Sequence, residues 1–107
     1  MGQQTSKTYV DADWDGGETA PLALNWRGGI IAAQVTVTGT VDFDIESTNS
    51  NLNAGEAADW LPDSTESESI TTSKFFRFDA TPRFIRIKIN SGGTGATIAI
   101  KLVQSDV

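Results

Sequence analysis

Apolar residues alternate with polar ones along most of this chain, most clearly in the segment 82–104. Two alternating runs there flank a glycine-rich break at 91–95. Side chains of a strand point alternately to its two faces, so each run predicts a strand with one buried face. The break has the composition of a tight turn, and the segment therefore predicts an antiparallel β-hairpin. The side chains expected to face inward are Ile85, Ile87, Ile89, Ala96, Ile98, Ile100 and Leu102.

A second pair of alternating runs, 30–38 and 41–47, is joined by Gly39 and Thr40. The same argument predicts two strands and a second hairpin. The inward residues expected in these strands are Ile31, Ala33, Val35, Val37, Val41, Phe43 and Ile45.

Shorter strand signals occur at 6–10, 20–26 and 70–79, and no segment has a convincing helical period. In the 20–26 run, Leu22, Leu24 and Trp26 share the apolar side. Short strands separated by Gly, Pro and Asn are typical of two packed sheets. We therefore expect residues 1–107 to form one all-β domain, a single antiparallel β-sandwich of six to eight strands, jelly-roll or Ig-like, with little or no helix. Residues 1–19 are a polar N-terminal segment, and 48–69 are a long irregular polar loop.

The composition narrows the function classes. The chain has no cysteine and no histidine, which removes disulfides, thiolate metal sites and the commonest general base. No phosphate-binding glycine loop or nucleophile motif is present. A net charge of −6 argues against nucleic-acid binding. We expect a soluble, non-enzymatic protein without a cofactor, signal peptide or membrane-spanning segment.

The charges are distributed unevenly along the chain. Residues 1–70 carry 12 acidic and two basic side chains, whereas 71–107 carry two acidic and six basic ones. The outer row Asp42, Asp44 and Glu46 is a natural cross-strand partner for Arg86 and Lys88. Two interpretations remain open: the rows pair within one chain, or the opposite charges attract neighbouring copies.

The acidic segment 11–18 imitates the start of a calcium loop. The twelfth loop position, which needs a glutamate, is Leu22, and no helix is predicted on either side. The alternatives are a solvated acidic turn and a non-helical calcium site. The ligands of such a site would be Asp11, Asp13, Asp15 and Glu18.

Three tryptophans are candidates for contacts with a partner or a sugar ring. Trp26 follows the apolar side of its strand and is expected in the core. Trp60, in the long loop, either fixes that loop to the sandwich or is exposed for a ligand. Trp14 is the other candidate for an exposed stacking platform.

Parts of the chain resemble small β-sandwich virion proteins of tailed bacteriophages. The resemblance rests on QVTVTGTVDFDIEST at 34–48, on Trp60 in the polar loop, and on PRFIRIKINSGGTGATIAIKLVQ at 82–104, about half of the chain. The segment before Leu22 lies outside it. The resemblance implies an accessory structural protein of the virion, assembled in the host cytoplasm, such as a head-decoration protein, a head fibre or a tail component.

The partners that this implies are capsid or tail subunits and further copies of the chain, in a homo-oligomer such as a trimer. An alternative is a carbohydrate-binding or adhesion module that uses exposed tryptophans. The side chains expected to contact a partner are Trp60, Arg83, Arg86, Lys88, Asp42, Asp44 and Glu46.

Overall fold

The computed structural model describes residues 3–24, 31–79 and 82–104. Within these ranges the chain forms eight strands in two antiparallel sheets of four, so the prediction of an all-β sandwich is confirmed. The strands are β1 (Gln3–Val10), β2 (Leu22–Ala23), β3 (Ile31–Thr38), β4 (Val41–Thr48), β5 (Leu61–Pro62), β6 (Lys74–Arg77), β7 (Phe84–Gly92) and β8 (Thr97–Gln104). Sheet A has the order β1-β8-β3-β6, and sheet B has the order β2-β7-β4-β5.

The strand pairing distinguishes the two topologies left open by the sequence. The pairs β1–β8, β2–β7, β3–β6 and β4–β5 are nested, as in one long antiparallel hairpin. Rolling up this hairpin adds the pairs β3–β8 and β4–β7. Among the described strands, only β4 and β5 are consecutive in the chain and lie in the same sheet. This is the jelly-roll arrangement.

Both predicted hairpins are wrong, although their strands are present. β3 and β8 lie in sheet A, whereas β4 and β7 lie in sheet B. The connections after β3 and after β7 are therefore arches that carry the chain from one sheet to the other. Two strands that face each other across a core show the same alternation as two strands that share a sheet, so the pattern alone does not distinguish them.

The two arches pack against each other at one end of the sandwich. The Gly93 amide donates a hydrogen bond of 3.0 Å to the Thr40 carbonyl. Gly39 has φ of +91°, and a Cβ atom there would lie 3.0 Å from the Cα atom of Ala96. A glycine is needed at position 39 both for its backbone conformation and for this close approach.

The core lies between the sheets and contains the inward side chains of the alternating runs. Phe43, Ile45, Ile98 and Leu102 are fully buried. The predicted inward residues of β3, β4 and β8 are confirmed as buried, except that Val37 is half-buried. The expected placement of Trp26 in the core concerns a residue outside the described ranges.

The long polar loop is mostly irregular, as predicted. It contains the short β5 and two 3-10 turns, Leu52–Ala54 and Thr65–Ser67. Ile70, at its end, is buried and exchanges backbone hydrogen bonds of 3.1 and 2.7 Å with Phe43. The loop thus returns to the edge of sheet B before the chain enters β6.

Candidate interaction surfaces

A charged network covers the outer side of β4 and β7, which we call the B face. The register places Glu46 opposite Arg86 and Asp44 opposite Lys88. Arg86 donates from Nη2 and Nε to Glu46 Oε1, at 2.8 and 2.9 Å. The side chain of Glu46 is 10% exposed and that of Arg86 is 21% exposed, so this pair is largely removed from water. Glu46 of the acidic row and Arg86 of the basic row are therefore paired within one chain, as in the first of the two interpretations.

Trp60 contributes to the same network. The Arg86 guanidinium carbon lies 4.5 Å from the centre of the Trp60 ring, in a cation–π contact. Glu18 Oε1 lies 3.9 Å from Arg86 Nη2. Of the two interpretations of Trp60, the one in which it fixes its loop to the sandwich agrees with this contact.

The other two carboxylates of the row also have partners within the chain. The Asn90 side-chain amide donates to Asp42 Oδ1 at 3.1 Å and to Asp44 Oδ1 at 2.8 Å. The Ser69 amide donates to Asp44 Oδ1 at 2.8 Å. Among the seven predicted partner-binding residues, the exposed ones are Lys88 and Arg83, and partner binding by this set stays a prediction.

The acidic N-terminal segment stabilises a turn. Asp13, in the 3-10 turn Asp11–Trp14, accepts a 2.8 Å hydrogen bond from the Val10 amide. Asp11 accepts a 2.9 Å bond from the Gly95 amide in the arch after β7. No group of three or more acidic side chains in the described ranges is arranged to hold a metal ion. The geometry therefore favours the acidic-turn interpretation of 11–18.

Trp14 is buried, with 6% of its surface exposed, and packs beside Gly93. The expectation that Trp14 is an exposed stacking platform is therefore wrong. Sequence alternation gave no signal for this contact, because Trp14 lies in a turn and not in a strand. The turn and the arch thus form one packed end of the sandwich.

Tyr9 is buried beside Thr19 at the edge where β1 approaches the start of sheet B. Burial raises the pKa of the Tyr9 phenol. A hydrogen bond with Thr19 lowers this pKa, and the negative charge of Asp13 raises it, both by smaller amounts. The net direction is upward. A neutral, hydrogen-bonded tyrosine is thus part of the packing at this edge.

The outer side of sheet A, which we call the A face, differs in character from the B face. Its outward positions follow from the register of the four strands. They are Gln4, Ser6, Thr8 and Val10 in β1, Thr97, Ala99, Lys101 and Val103 in β8, Ala32, Gln34, Thr36 and Thr38 in β3, and Phe75 and Arg77 in β6.

The A face has two cations and no carboxylate in its strands. The cations are Lys101 and Arg77, and the nearest acids along the chain, Asp11 and Asp79, follow the ends of β1 and β6. Its exposed apolar side chains are Phe75 at 76%, Val10 at 43% and Val103 at 42%. Exposed apolar groups, an arginine and few charges are typical of protein interfaces.

A shallow groove of about 210 Å³ crosses the A face. It lies over Ala99, whose small side chain stands between Thr8 and Thr36 of the neighbouring strands. This surface is not among the contact surfaces predicted from the sequence, because the charged rows of β4 and β7 are the more prominent pattern. The available signal was the absence of acids from the outward positions of the alternating runs.

The segment 49–73 connects β4 with β6 and includes most of the long polar loop; we call it the acidic loop. It carries five acids and no base: Glu56, Asp59, Asp63, Glu66 and Glu68. Lys74 fixes it to β6 through an ion pair of 3.0 Å with Glu66. Asp59 and the 66% exposed Leu61 line one depression of about 220 Å³. The loop is therefore a second exposed surface, with a charge opposite to that of the A face.

No protein-family model matches the chain. Comparisons with curated proteins and with solved structures give no significant match either. Among the described residues, no helix has the length and apolar character required to cross a membrane.

Proposed function

We propose that this chain is a non-enzymatic structural protein of a bacteriophage virion, and that it decorates or stabilises the capsid by binding its repeated subunits. The resemblance of the segments 34–48 and 82–104 to virion accessory proteins gives the biological setting. The jelly-roll fold is compatible with it, since this architecture occurs in viral capsid domains.

The observation that carries the proposal is the division of the surface into two unlike parts. The A face has apolar and cationic side chains, whereas the acidic loop has carboxylates and an exposed leucine. On the B face, Arg86 is paired with Glu46, and Asp44 accepts a hydrogen bond from Asn90, both within the chain. A protein that packs in many symmetric copies needs such complementary surfaces on a rigid body.

The carbohydrate-binding alternative loses most of its support. Trp14 is buried, and one side of the Trp60 ring is occupied by Arg86. A sugar platform needs an accessible aromatic face. We therefore retain the structural role as the single proposal.

The test is co-sedimentation with shells. The protein is mixed with shells assembled from the major capsid protein encoded nearest to its gene, over a range of molar ratios. We expect it to sediment with the shells and to saturate at a fixed ratio to capsid subunits. The proposal would be contradicted if the amount of sedimented protein rose with the molar ratio without saturating, or if the protein stayed in the supernatant while the shells sedimented.

A further inference from the structure

We propose that copies of this chain assemble head to tail, with the acidic loop of one copy docked on the A face of the next. This deepens the proposed structural role and rests on it, because it names the contact between copies. The occupant of the A face is thus a second copy of the same chain.

The A face provides the receiving surface. Lys101 lies in β8, one of the two inner strands of sheet A, between Ser6 and Gln34 in the register. Phe75 lies in β6, opposite Gln34 of β3. Arg77 is two residues further along β6 and therefore on the same face. An exposed aromatic ring therefore lies among cations and small neutral side chains, with no carboxylate in the strands to repel an acidic partner.

The acidic loop provides the inserted surface. Leu61 is 66% exposed and lies beside Asp59, so an apolar group and a carboxylate are presented together. Glu68 is also exposed. The loop is fixed to its own sandwich by Ile70 and by the ion pair between Glu66 and Lys74, so docking orders less chain than a free segment would.

Charge complementarity selects a copy of the chain as the occupant. The strands of the A face have only cations among their charged outward side chains, and the acidic loop has only anions. Each surface also presents an exposed apolar residue, Phe75 on the face and Leu61 on the loop. Because the two surfaces are different, the contact is heterologous, and such contacts close into rings when the rotation between copies allows it.

The experiment uses two charge-reversed proteins. The face variant is Lys101→Glu with Arg77→Glu, and the loop variant is Asp59→Lys with Glu68→Lys. The control is Asp15→Lys, which reverses one charge, in the same direction as each substitution of the loop variant, at an exposed acid outside both surfaces. Circular dichroism and urea unfolding establish that each variant folds.

Mass photometry then measures assembly. We expect the wild type and the Asp15→Lys control to form the same closed oligomer. Each charge-reversed variant alone should be monomeric, with self-association weakened about tenfold or more. A mixture of the two variants should associate again, because the intact loop of the face variant fits the intact face of the loop variant, and the two reversed surfaces also fit each other. A single chain carrying all four reversals should assemble again.

Salt dependence gives a further readout. Exposed charges are screened over about 10 Å at 0.1 M salt and about 3 Å at 1 M, so the wild-type oligomer should dissociate as salt rises. A wild type that is strictly monomeric, a face variant or loop variant that alone still forms the wild-type oligomer, or a mixture of the two that stays monomeric would overturn the proposal. Since no shells are present, any of these results leaves co-sedimentation with shells as a separate test of the proposed function.

Discussion

At the residue scale, Arg86 and Glu46 form the shortest and most buried of the ion pairs described above. Replacing Arg86 by Met removes two charge-assisted hydrogen bonds and leaves a nearly buried carboxylate unpaired. We expect this to lower the free energy of unfolding by about 1–3 kcal/mol, measured by urea denaturation. Adding Glu46→Gln should recover part of the loss, and the exposed control Lys88→Ala should change stability by about 0.5 kcal/mol or less. Equal losses for Arg86→Met and Lys88→Ala would contradict this account.

The titration of the Tyr9 phenol gives a second prediction at the residue scale. Tyr9 is the only tyrosine, so its phenolate absorbance identifies it without ambiguity. Burial raises its pKa, and the midpoint should therefore lie above the usual value of about 10 in the folded protein and return to it in urea. The unfolded chain releases this proton first, so the stabilising contribution is complete below pH 10 or so and is lost as the pH rises through the folded pKa.

The hydrogen bond from Thr19 provides the control for this titration. Thr19→Val removes the hydroxyl that lowers the pKa of Tyr9, so the midpoint should rise further. Thr19→Ser keeps the hydroxyl and should leave the midpoint close to that of the wild type. A midpoint in the native wild type that equals the value in urea would show that Tyr9 is not shielded from water.

At the element scale, the sequence predicted strands well and their partners poorly. Alternation identified the inward faces of β3, β4, β7 and β8, because burial on one face imposes period two. Opposite charges also indicated the row Asp42, Asp44 and Glu46 as a partner for Arg86 and Lys88, within one chain or between copies. The register places Glu46 opposite Arg86 and Asp44 opposite Lys88 within the chain. Alternation failed at the short connection through Gly39, which has the composition of a hairpin turn. The sheet pairing shows that an arch is formed there, since β3 lies in sheet A and β4 in sheet B, and Gly39 approaches Ala96, a residue distant in sequence.

The arches themselves give the prediction at this scale. Gly39→Ala places a Cβ atom 3.0 Å from the backbone of Ala96 and adds a side chain at positive φ. Gly95→Ala shares the positive φ, but nothing lies within 4 Å of its added atom. We expect Gly95→Ala to cost about 1 kcal/mol and Gly39→Ala about 2 kcal/mol or more, measured by thermal unfolding. Equal costs would mean that the two arches are not packed together.

At the scale of the whole molecule, the nested pairing predicts where the chain tolerates being cut. Gln3 is paired with Gln104, so joining residue 107 to residue 1 leaves only 105–107 and 1–2 between two adjacent strands. That is within the usual hairpin loop length of roughly two to five residues. New ends opened between residues 57 and 58 lie in the acidic loop, in the connection between the paired strands β4 and β5 and within neither strand.

We therefore expect this circular permutant to fold cooperatively, with a melting temperature within several degrees of the parent, since the sheet pairs and the core are retained. A second permutant, opened between Gly39 and Thr40, is the control. Its cut falls in the arch that packs on Ala96 and accepts the Gly93 hydrogen bond, so it should melt well below the first. If the chain folded as two sequential hairpins, a cut between residues 39 and 40 would open only a turn and be tolerated as well as one in the acidic loop. The order of the two melting temperatures thus separates the jelly roll from the simpler topology that the alternation alone suggests.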